Sequence, residues 1–340
     1  MRQVGRLDWS QKSVLPLTYP SDNCRQVQGL LEAFFQLRGK AWIRRCPGCL
    51  WLSGCFSLQA GARVDHVVPG LVGDSDLTIV AEGPLDDVDL VFLCASRKEV
   101  VSRLSLAAES ANLHVIDLSG SHNMDHGLEE EWKYGLSEMQ RRILVHDSPW
   151  VTIPGNAAAA SLLALMPMAR NLMINSPLTL QVEMGASGLP CNGMTADGLA
   201  LDEWTADQCR EVKYALRQCQ SSFDQPIDMS ITLLDEPRTL AVTARLKCGV
   251  DLEALKELYE QYYDDHNFVF VMSRPVATVD VVNTNKCLIT LDKDDHTGIV
   301  TIHAVMDLLL KGAAGNAVHV MNLMFGLHER AGLALKGTGC

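Results

Sequence analysis

The sequence predicts an α/β protein that begins with a doubly wound parallel sheet and continues into an α+β domain with a mixed sheet. In the first half, two apolar strands enclose a helical segment, which is the repeating unit of a doubly wound sheet. In the second half, six strand-like segments are interrupted by two long helical segments. The chain has 340 residues, enough for two domains of ordinary size.

The first half carries the parallel-strand pattern. Asp87–Cys94 is a short apolar run led in by acidic residues, and Leu113–Leu118 is a second one, as expected of buried parallel strands. Between them, Lys98–Ala111 has helix formers with apolar residues near helical spacing. The candidate first unit of this Rossmann-like domain consists of the strand Val14–Thr18, the turn Tyr19–Asn23 and the helix Arg25–Leu37.

The second half begins with a helix over Asn156–Leu172, whose apolar residues almost surround it and predict deep burial. The strands that we predict after it are Leu178–Met184, Asp228–Leu234, Thr239–Leu246, Phe268–Met272, Lys286–Leu291 and Ile299–Val305. The helices are Ala206–Cys219, Leu252–Tyr263 and Ala313–Leu327. We therefore place the domains at residues 1–150 and 151–310, followed by a C-terminal helix over 311–330 that returns to the first domain.

Composition excludes several classes of partner. The formal net charge is −12, and no basic cluster extends beyond Arg44-Arg45 and Arg141-Arg142, so the chain repels phosphate backbones and we expect no nucleic-acid partner. The longest apolar runs, such as Ala157–Met168, are too short to cross a bilayer, which predicts no membrane association. The amino terminus lacks the pattern of a secretory signal, and we expect a cytoplasmic location.

The 11 cysteines are scattered along the chain, and in a chain with no export signal we predict reduced thiols in or near the core. Cys46-Pro-Gly-Cys49 has the spacing of half a zinc site, and Cys55 is a candidate third ligand. A closed zinc site needs four ligands, and no fourth ligand is evident. We therefore predict no metal site.

Three segments carry a family resemblance. Lys311-Gly-Ala-Ala-Gly-Asn-Ala-Val-His-Val-Met-Asn-Leu-Met-Phe-Gly326 resembles the closing helix of N-acetyl-γ-glutamyl-phosphate reductases almost letter for letter. Val282-Asn-Thr-Asn-Lys-Cys-Leu288 also fits, and Tyr134-Gly-Leu-Ser-Glu138 resembles the family's Tyr-Gly-Leu-Pro-Glu with Ser137 in place of proline. Weaker matches lie at Val115–Ser119 and Ala60–Asp76. Together these segments extend the resemblance over most of residues 60–335.

The resemblance implies an NADPH-dependent reduction of an acyl phosphate in arginine biosynthesis, by way of a thioester on a cysteine. The family carries that cysteine in Asn-Pro-Gly-Cys at the start of a buried helix, where the helix dipole lowers the thiol pKa. This chain reads Ile153-Pro154-Gly155-Asn156, so an amide replaces the sulfur. Asn156 has the chemistry of a helix N-cap, and we predict that role for it.

The family's second participant is a histidine in His-x-His-x-Pro-Glu-Ile. The matching segment here is Ala206-Asp-Gln-Cys-Arg-Glu-Val212, in which Gln208 occupies the histidine position and Glu211 is kept. None of the 10 histidines falls in this segment, so the general acid/base is missing as well. We therefore predict that no intact catalytic residue remains and that the chain is inactive, with a binding or regulatory role.

The resemblance implies NADP as the cofactor of the first domain, with Asn316 of the closing helix near its nicotinamide end. Gly312 and Gly315 permit close backbone approach at a helix start, where free N–H groups can face the cofactor. The alternative is that the glycines allow tight helix–sheet packing and that Asn316 caps the helix. The turn Tyr19–Asn23 has no glycine, and Asp22 within it repels phosphate, which counts against NADP binding in the usual pose. Residues 1–58 hardly resemble the family, and either rapid divergence or a reading-frame error upstream of Ala60 would explain this.

Substrate-side residues survive in part. Ser187-Gly188 resembles part of the family's Gly-Ser-x-Gly-Ala-Gly loop, and Pro237-Arg238 matches a strand start at which the arginine contacts phosphate. The alternative for Arg238 is a solvent-facing residue at a strand end. An acyl phosphate is accordingly the small-molecule ligand that the resemblance implies, and the expected macromolecular partner is a second copy in a homo-oligomer or an active paralogue.

Two further readings stay open. An active NADP-dependent N-acetyl- or N-succinyl-glutamyl-phosphate reductase would need a relocated nucleophile, for which Cys209 and Cys191 are the candidates. An inert thiol near the core is the commoner state of such cysteines. The third reading is a remnant without function.

Overall fold

The computed structural model describes residues 63, 66, 72, 88–93, 113–120, 122, 131–146, 149–188 and 199–337, and the backbone of residues 13–17. The predicted turn Tyr19–Asn23 and the predicted helices Arg25–Leu37 and Lys98–Ala111 lie outside the described residues. So do the Cys46 and Cys49 pair, Cys55 and Cys191.

The first sheet is parallel throughout, with the order β1-β2-β3-β5-β4. Its strands are β1 (Ser13–Leu17), β2 (Val88–Leu93), β3 (His114–Asp117), β4 (Trp132–Tyr134) and β5 (Trp150–Thr152). The three strands predicted for this half are confirmed, and β4 and β5 were missed. Each missed strand has three residues, too few to show an apolar pattern. Helix α1 (Ser137–His146) connects these two strands and was also not predicted.

The second sheet is mixed, with the order β7-β6-β8-β11-β10-β9. The pairs β6–β7 and β9–β10 are parallel, and the remaining neighbours are antiparallel. The strands are β6 (Leu178–Gly185), β7 (Ile227–Leu234), β8 (Thr239–Lys247), β9 (Val269–Val271), β10 (Cys287–Asp294) and β11 (Ile299–Asp307). All six were predicted to within a few residues, and the predicted fold class is confirmed.

Three helices pack on one face of the second sheet: α2 (Asn156–Arg170), α3 (Leu199–Cys219) and α4 (Leu252–Tyr263). Helix α2 is buried from Asn156 to Ala169 because its small and apolar side chains let the sheet and the other helices approach from all sides. Tyr259 and Tyr263 of α4 donate hydrogen bonds to carbonyls of α2, at Ala164 and Leu163. The core is therefore centred on α2, which positions the start of that helix rigidly.

The closing segment differs from its prediction. A helix over Ala313–Leu327 was expected, but a π-helical turn (Leu310–Ala314) precedes α5 (Gly315–Met324). The turn starts early because the buried Asp307 carboxylate accepts the N–H groups of Leu309 and Leu310 at 2.9 and 3.0 Å. The helix ends early because Gly326 adopts φ +63°, a left-handed conformation that favours glycine.

The two sheets follow one another along the chain. The first sheet ends with Thr152 of β5, and the second begins with Leu178 of β6, with α2 between them. The domain limits 1–150, 151–310 and 311–330 stay predictions.

Candidate functional site

The start of α2 lies where the first sheet ends. The Ile153 N–H donates to the Asp117 carbonyl at 2.7 Å and extends the hydrogen bonding between β5 and β3 to Ile153. Gly155 is the N-cap residue, and Asn156 is the first residue of the helix. The prediction that Asn156 caps the helix is therefore wrong. Its amide instead points across to the second sheet, where Nδ2 donates to the Gly188 carbonyl at 2.9 Å.

Gln208 of α3 supplies the cap that Gly155 has no side chain to make. Its Oε1 accepts a hydrogen bond from the Ala158 N–H of α2 at 3.1 Å, and the side chain is 2 % exposed. The amide lies so close to Gly155 that a Cβ added there would come within 2.2 Å of Nε2. A free N–H at a helix start is costly when buried, so Gln208 has a structural role at the position where the resemblance expects a histidine.

Glu211 lies one turn along the same face of α3. Its carboxylate accepts the Gly155 N–H at 3.1 and 3.3 Å, and the Tyr134 hydroxyl at 2.8 Å. Burial and the neighbouring Glu211 carboxylate raise the pKa of Tyr134 well above its usual value, so the phenol stays protonated. Glu211 thus fixes the turn before α2 to the end of β4. No role was predicted for Tyr134, although the family-like segment that begins with it was the available signal.

Cys209 points away from this entrance. Its sulfur lies 3.9 Å from the Ile227 carbonyl, where β7 begins, and burial raises the pKa of its thiol. Gln208 and Glu211 face α2, so the residue after Gln208 necessarily faces another direction on the helix. Of the described cysteines, Cys219 and Cys287 also have raised pKa values through burial. Among the residues that the structure describes, no group of His, Cys, Asp and Glu has the arrangement of a metal site.

The predicted substrate-side residues fall into two adjacent places. Gly188 contacts the Asn156 amide, and a Cβ on Gly188 would come within 2.9 Å of that amide nitrogen. The Ser187 hydroxyl donates to the Pro237 carbonyl. Arg238 donates through Nε to Asp307 at 2.8 Å, and Asp307 is fully buried. The charge of Arg238 is therefore already paired within the protein, and a phosphate-binding role for it stays a prediction.

Comparison with known proteins defines the family. The family model for the NAD binding domain of semialdehyde dehydrogenases matches residues 52–146, and the one for their dimerisation domain matches residues 207–307. The N-acetyl-γ-glutamyl-phosphate reductase of Parabacteroides distasonis is 34% identical over 288 residues, which cover 82% of this chain and 88% of that protein. The reductase of Bacteroides fragilis strain YCH46 is 35% identical over 292 residues, with the same coverage.

The chain belongs to the N-acetyl-γ-glutamyl-phosphate reductase family. The resemblance predicted from the sequence is thereby confirmed. Among solved structures, aspartate semialdehyde dehydrogenase II from Vibrio cholerae superimposes with a TM-score of 0.68 at 14% identity, covering 92% of this chain and 98% of that one. This likeness shows the shared fold. None of the described helices is both long and apolar enough to traverse a lipid bilayer.

The closing helix of this reductase-family member is packed into the protein. A Cβ on Gly312 would come within 2.9 Å of the Leu240 side chain, and one on Gly315 within 2.4 Å of Asn285 Oδ1. Asn316 is 1 % exposed and donates through Nδ2 to the Gly135 carbonyl at 2.8 Å. Here the glycines permit close packing, as the alternative from the sequence held, but its other part is wrong: the N-cap residue is Ala314, and Asn316 does not cap the helix. A cofactor-binding role for these three residues stays a prediction.

A buried polar network that the sequence did not predict joins α1 to the closing segment. Lys311 Nζ donates to Glu138 at 2.6 Å, and the Ser137 hydroxyl lies 2.8 Å from the second Glu138 oxygen and 3.0 Å from His319 Nδ1. His319 Nε2 then lies 2.8 Å from Glu329. Ser137 stands where the reductase family carries proline, which has no hydroxyl to offer, so this bridge depends on the substitution.

Charge balance within the network sets its protonation. Burial acts to raise the pKa of Glu138, but Lys311 and His319 outweigh it, and the pKa falls to about 2. Burial lowers the pKa of His319, whereas its hydrogen bond lowers the pKa of Glu329 to about 2. At neutral pH both carboxylates are ionised, with Lys311 as the buried cation that compensates Glu138.

Proposed function

We propose that this chain is a member of the N-acetyl-γ-glutamyl-phosphate reductase family that has no thioester chemistry and serves a binding or regulatory role. The observation that carries the proposal is the pair of amides at the start of α2. Asn156 holds the position of the family's cysteine, and Gln208, at the position of its histidine, lies directly against Gly155.

Neither amide has the chemistry that the reaction needs. Displacement of phosphate from an acyl phosphate requires a nucleophile with an available electron pair, whereas the nitrogen pair of an amide is delocalised into its carbonyl. A carboxamide also neither accepts nor releases a proton near neutral pH, so Gln208 cannot act as general acid or base. Both side chains already hold hydrogen bonds to the protein, at Gly188 and Ala158.

We propose further that NADP is not held in the pose usual for the family. The first domain matches the NAD binding domain of semialdehyde dehydrogenases, which supports descent from a cofactor-binding protein. Gly312, Gly315 and Asn316 are buried against other parts of the chain, and the turn predicted from the sequence at Tyr19–Asn23 contains no glycine for close approach to a pyrophosphate. No step of a reaction is therefore assigned to the cofactor.

The proposed role is that of a cytoplasmic homo-oligomer or of a partner to an active paralogue, with an acyl phosphate as the candidate ligand. The match to a dimerisation domain supports association through the second domain. The alternative, an active reductase with a relocated nucleophile, has no support from Cys209, because its thiol lies against β7 and its pKa is raised.

The first prediction concerns covalent chemistry. Full-length protein incubated with N-acetyl-γ-glutamyl phosphate is expected to keep its mass by intact-protein mass spectrometry, because no thiolate stands at the start of α2. In a serine protease, loss of the nucleophile or of the general base from the cooperating catalytic set lowers kcat by roughly a million-fold. We therefore expect the rate of NADPH oxidation in the presence of substrate to be at least roughly a million-fold lower than the rate of the Parabacteroides distasonis relative.

Its control is Cys209→Ser. Turnover or an adduct in the natural protein that disappears in Cys209→Ser would overturn the proposal and establish the relocated nucleophile. An adduct that survives this change, and that proteolysis assigns to another side chain, would overturn it as well.

The second prediction concerns the cofactor. A ligand at about 100 times its Kd stabilises the folded state by about 2.7 kcal/mol, enough to raise Tm by several degrees. We expect NADPH to shift Tm by less than about 1 °C in differential scanning fluorimetry. A larger shift that Asn316→Leu abolishes would place the cofactor at the closing helix and contradict the proposal.

A further inference from the structure

The end of β4 and the start of α1 pack into the core of the second half of the chain. Tyr134, Leu136 and Met139 are buried in the hydrophobic cluster that also contains Val242 of β8. We refer to residues 134–139 as the bridging segment, because β4 belongs to the first sheet whereas these side chains lie in the core of the second.

Three carbonyls of the bridging segment accept hydrogen bonds from side chains of the second half. The acceptors are the carbonyls of Gly135, Glu138 and Met139. Their donors are, in the same order, Asn316 of α5 at 2.8 Å, Tyr262 of α4 at 3.1 Å and Arg170 of α2 at 2.9 Å. Gln140, the next residue, has non-helical backbone angles (φ −134°, ψ 28°), so α1 is kinked beside these bonds. Three separate helices are therefore bonded to the backbone of the bridging segment.

Three side chains of the bridging segment add links to two further elements, α3 and the π-helical turn. They bond Tyr134 to Glu211 of α3, Glu138 to Lys311 of the π-helical turn, and Ser137 to His319 of α5. Ser137 and Lys311 are 1 % exposed, and His319 is 2 % exposed. Movement of the segment away from these neighbours would leave buried charges and hydroxyl groups unpaired, which is strongly unfavourable.

The bridging segment is also paired to the first sheet. Its Gly135 N–H donates to the Thr152 carbonyl of β5 at 2.7 Å, and β5 runs directly into α2. Two adjacent strands, β4 and β5, therefore enter the second half side by side. At the other end of this sheet, the ring of His114 in β3 lies 4.9 Å from the ring of Phe325, which follows α5. A hinge needs a short segment that few contacts cross, and neither β4 nor β5 offers one.

We propose that the bridging segment holds the two sheets in one fixed orientation, so that this chain does not open and close around a ligand by a hinge motion. Many ligand-binding proteins close by rotation about a few loop residues. Here such a rotation would break the bonds of the bridging segment to α2, α3, α4, α5 and the π-helical turn. Glu211 joins the segment to Gly155, so the start of α2 is a preformed surface that a ligand meets without rearrangement. The inference concerns the fold and holds for a silent chain and for an active one alike.

The test measures the distance between two nitroxide labels by pulsed electron paramagnetic resonance. The labels are attached to p-acetylphenylalanine in place of Val72 and Glu260, which are exposed, so the native cysteines stay unlabelled. Val72 lies within the match to the NAD binding domain, and Glu260 lies on α4. We expect one narrow distance distribution that neither NADPH nor N-acetyl-γ-glutamyl phosphate changes. Two distances, or a shift with either compound, would overturn the inference.

A variant with fewer contacts tests whether the bridging segment is the cause. Ser137→Ala, Arg170→Met and Tyr262→Phe together remove three of its links. Each lost bond raises the population of an open form about fivefold, so we expect an increase of about 100-fold and a second or broader distance. Arg170 is exposed and Tyr262 is half-buried, so the fold tolerates this pair of changes even where it does not tolerate Ser137→Ala. The pair alone should raise the open population about 25-fold.

The matched control is Arg217→Met with Tyr214→Phe, which makes the same chemical changes on α3 at residues outside the bridging contacts. It should keep the distance of the natural protein, and circular dichroism should show every variant folded. A distribution as narrow in the weakened variants as in the natural protein, or equally broadened in the control, would overturn the inference. NADPH that raises Tm without changing the distance would contradict the proposed loss of the usual cofactor pose. It would support the fixed orientation, because the ligand is then bound without closure.

Discussion

Asn156→Cys combined with Gln208→His is expected to form a covalent acyl adduct about 10²–10⁴-fold faster than Asn156→Cys alone. The single variant places a thiol in the first turn of α2, where the positive end of the helix dipole lowers its pKa. The second change adds an imidazole beside that turn, since Gln208 already contacts Gly155 and Ala158 there. The factor is the usual contribution of a positioned general acid or base.

The scaffold around the two positions supports this expectation. The Glu211 carboxylate accepts hydrogen bonds from the Gly155 N–H and the Tyr134 hydroxyl, so these bonds stabilise the turn before α2 independently of Gln208. Replacing Gln208 lowers the stability of the start of α2, because the Ala158 N–H then loses the side-chain oxygen that accepts its hydrogen bond. An imidazole nitrogen that accepts the Ala158 N–H would be unavailable as a base. A rate of adduct formation equal to that of Asn156→Cys alone would therefore indicate that the ring bonds to Ala158, and a faster rate that it acts on the thiol.

The measurement is the rate of adduct formation from N-acetyl-γ-glutamyl phosphate, followed by intact-protein mass spectrometry. Gln208→His alone and Asn156→Ser with Gln208→His are the controls, and neither should form an adduct. Alkylation of the new thiol by iodoacetamide across a pH series gives its pKa separately. A thiol that alkylates readily but never accepts the acyl group would show that the acyl phosphate no longer reaches the start of α2.

Helices whose signals are local were the most predictable from the sequence. Leu252–Tyr263 was predicted with the bounds that the structure has, and in the structure Asp251 caps its start by accepting the Ala254 N–H at 2.9 Å. The start of α3 was placed at Ala206, although the helix begins at Leu199. The residues before Ala206 include no capping signal followed by a clear apolar period, so the pattern alone did not reveal the extra two turns.

The candidate site was predictable in position but not in contacts. The resemblance of two motifs assigned Asn156 and Gln208 to the same candidate site. In the structure, Asn156 is the first residue of α2 and Gln208 of α3 packs against the first turn of that helix. What the sequence did not show is that Gln208 caps the helix while Asn156 does not, or that Cys209 faces β7. Each of these contacts joins residues far apart in the chain, and their geometry depends on how α3 packs against α2.

The ion pair between Lys311 and Glu138 has the largest expected effect on stability. Both side chains are buried, at 0% and 1% exposure, and lie 2.6 Å apart. Lys311→Met leaves the Glu138 carboxylate buried without its cation, and we expect the free energy of unfolding to fall by about 3–5 kcal/mol. Urea unfolding followed by circular dichroism measures the loss. Lys256→Met is the matched control, because its exposed pair with Glu253 contributes at most about 1 kcal/mol.

The pH dependence of the free energy of unfolding distinguishes the loss of the ion pair from the loss of side-chain packing in Lys311→Met. Folding lowers the pKa of Glu138 from 4.5 to about 2, so its contribution is complete above pH 4.5 and is lost as pH falls toward 2. In Lys311→Met, burial without the cation raises that pKa above its unfolded value, and acidification then stabilises the variant. The difference in the free energy of unfolding between the two proteins should therefore narrow as pH falls toward 4.5, and narrow further as the natural protein loses its own contribution toward pH 2. Adding Glu138→Gln to Lys311→Met should recover most of the loss at neutral pH, since no buried charge remains unpaired. A gap that is constant with pH and unchanged by Glu138→Gln would assign the loss to the Lys311 methylenes instead.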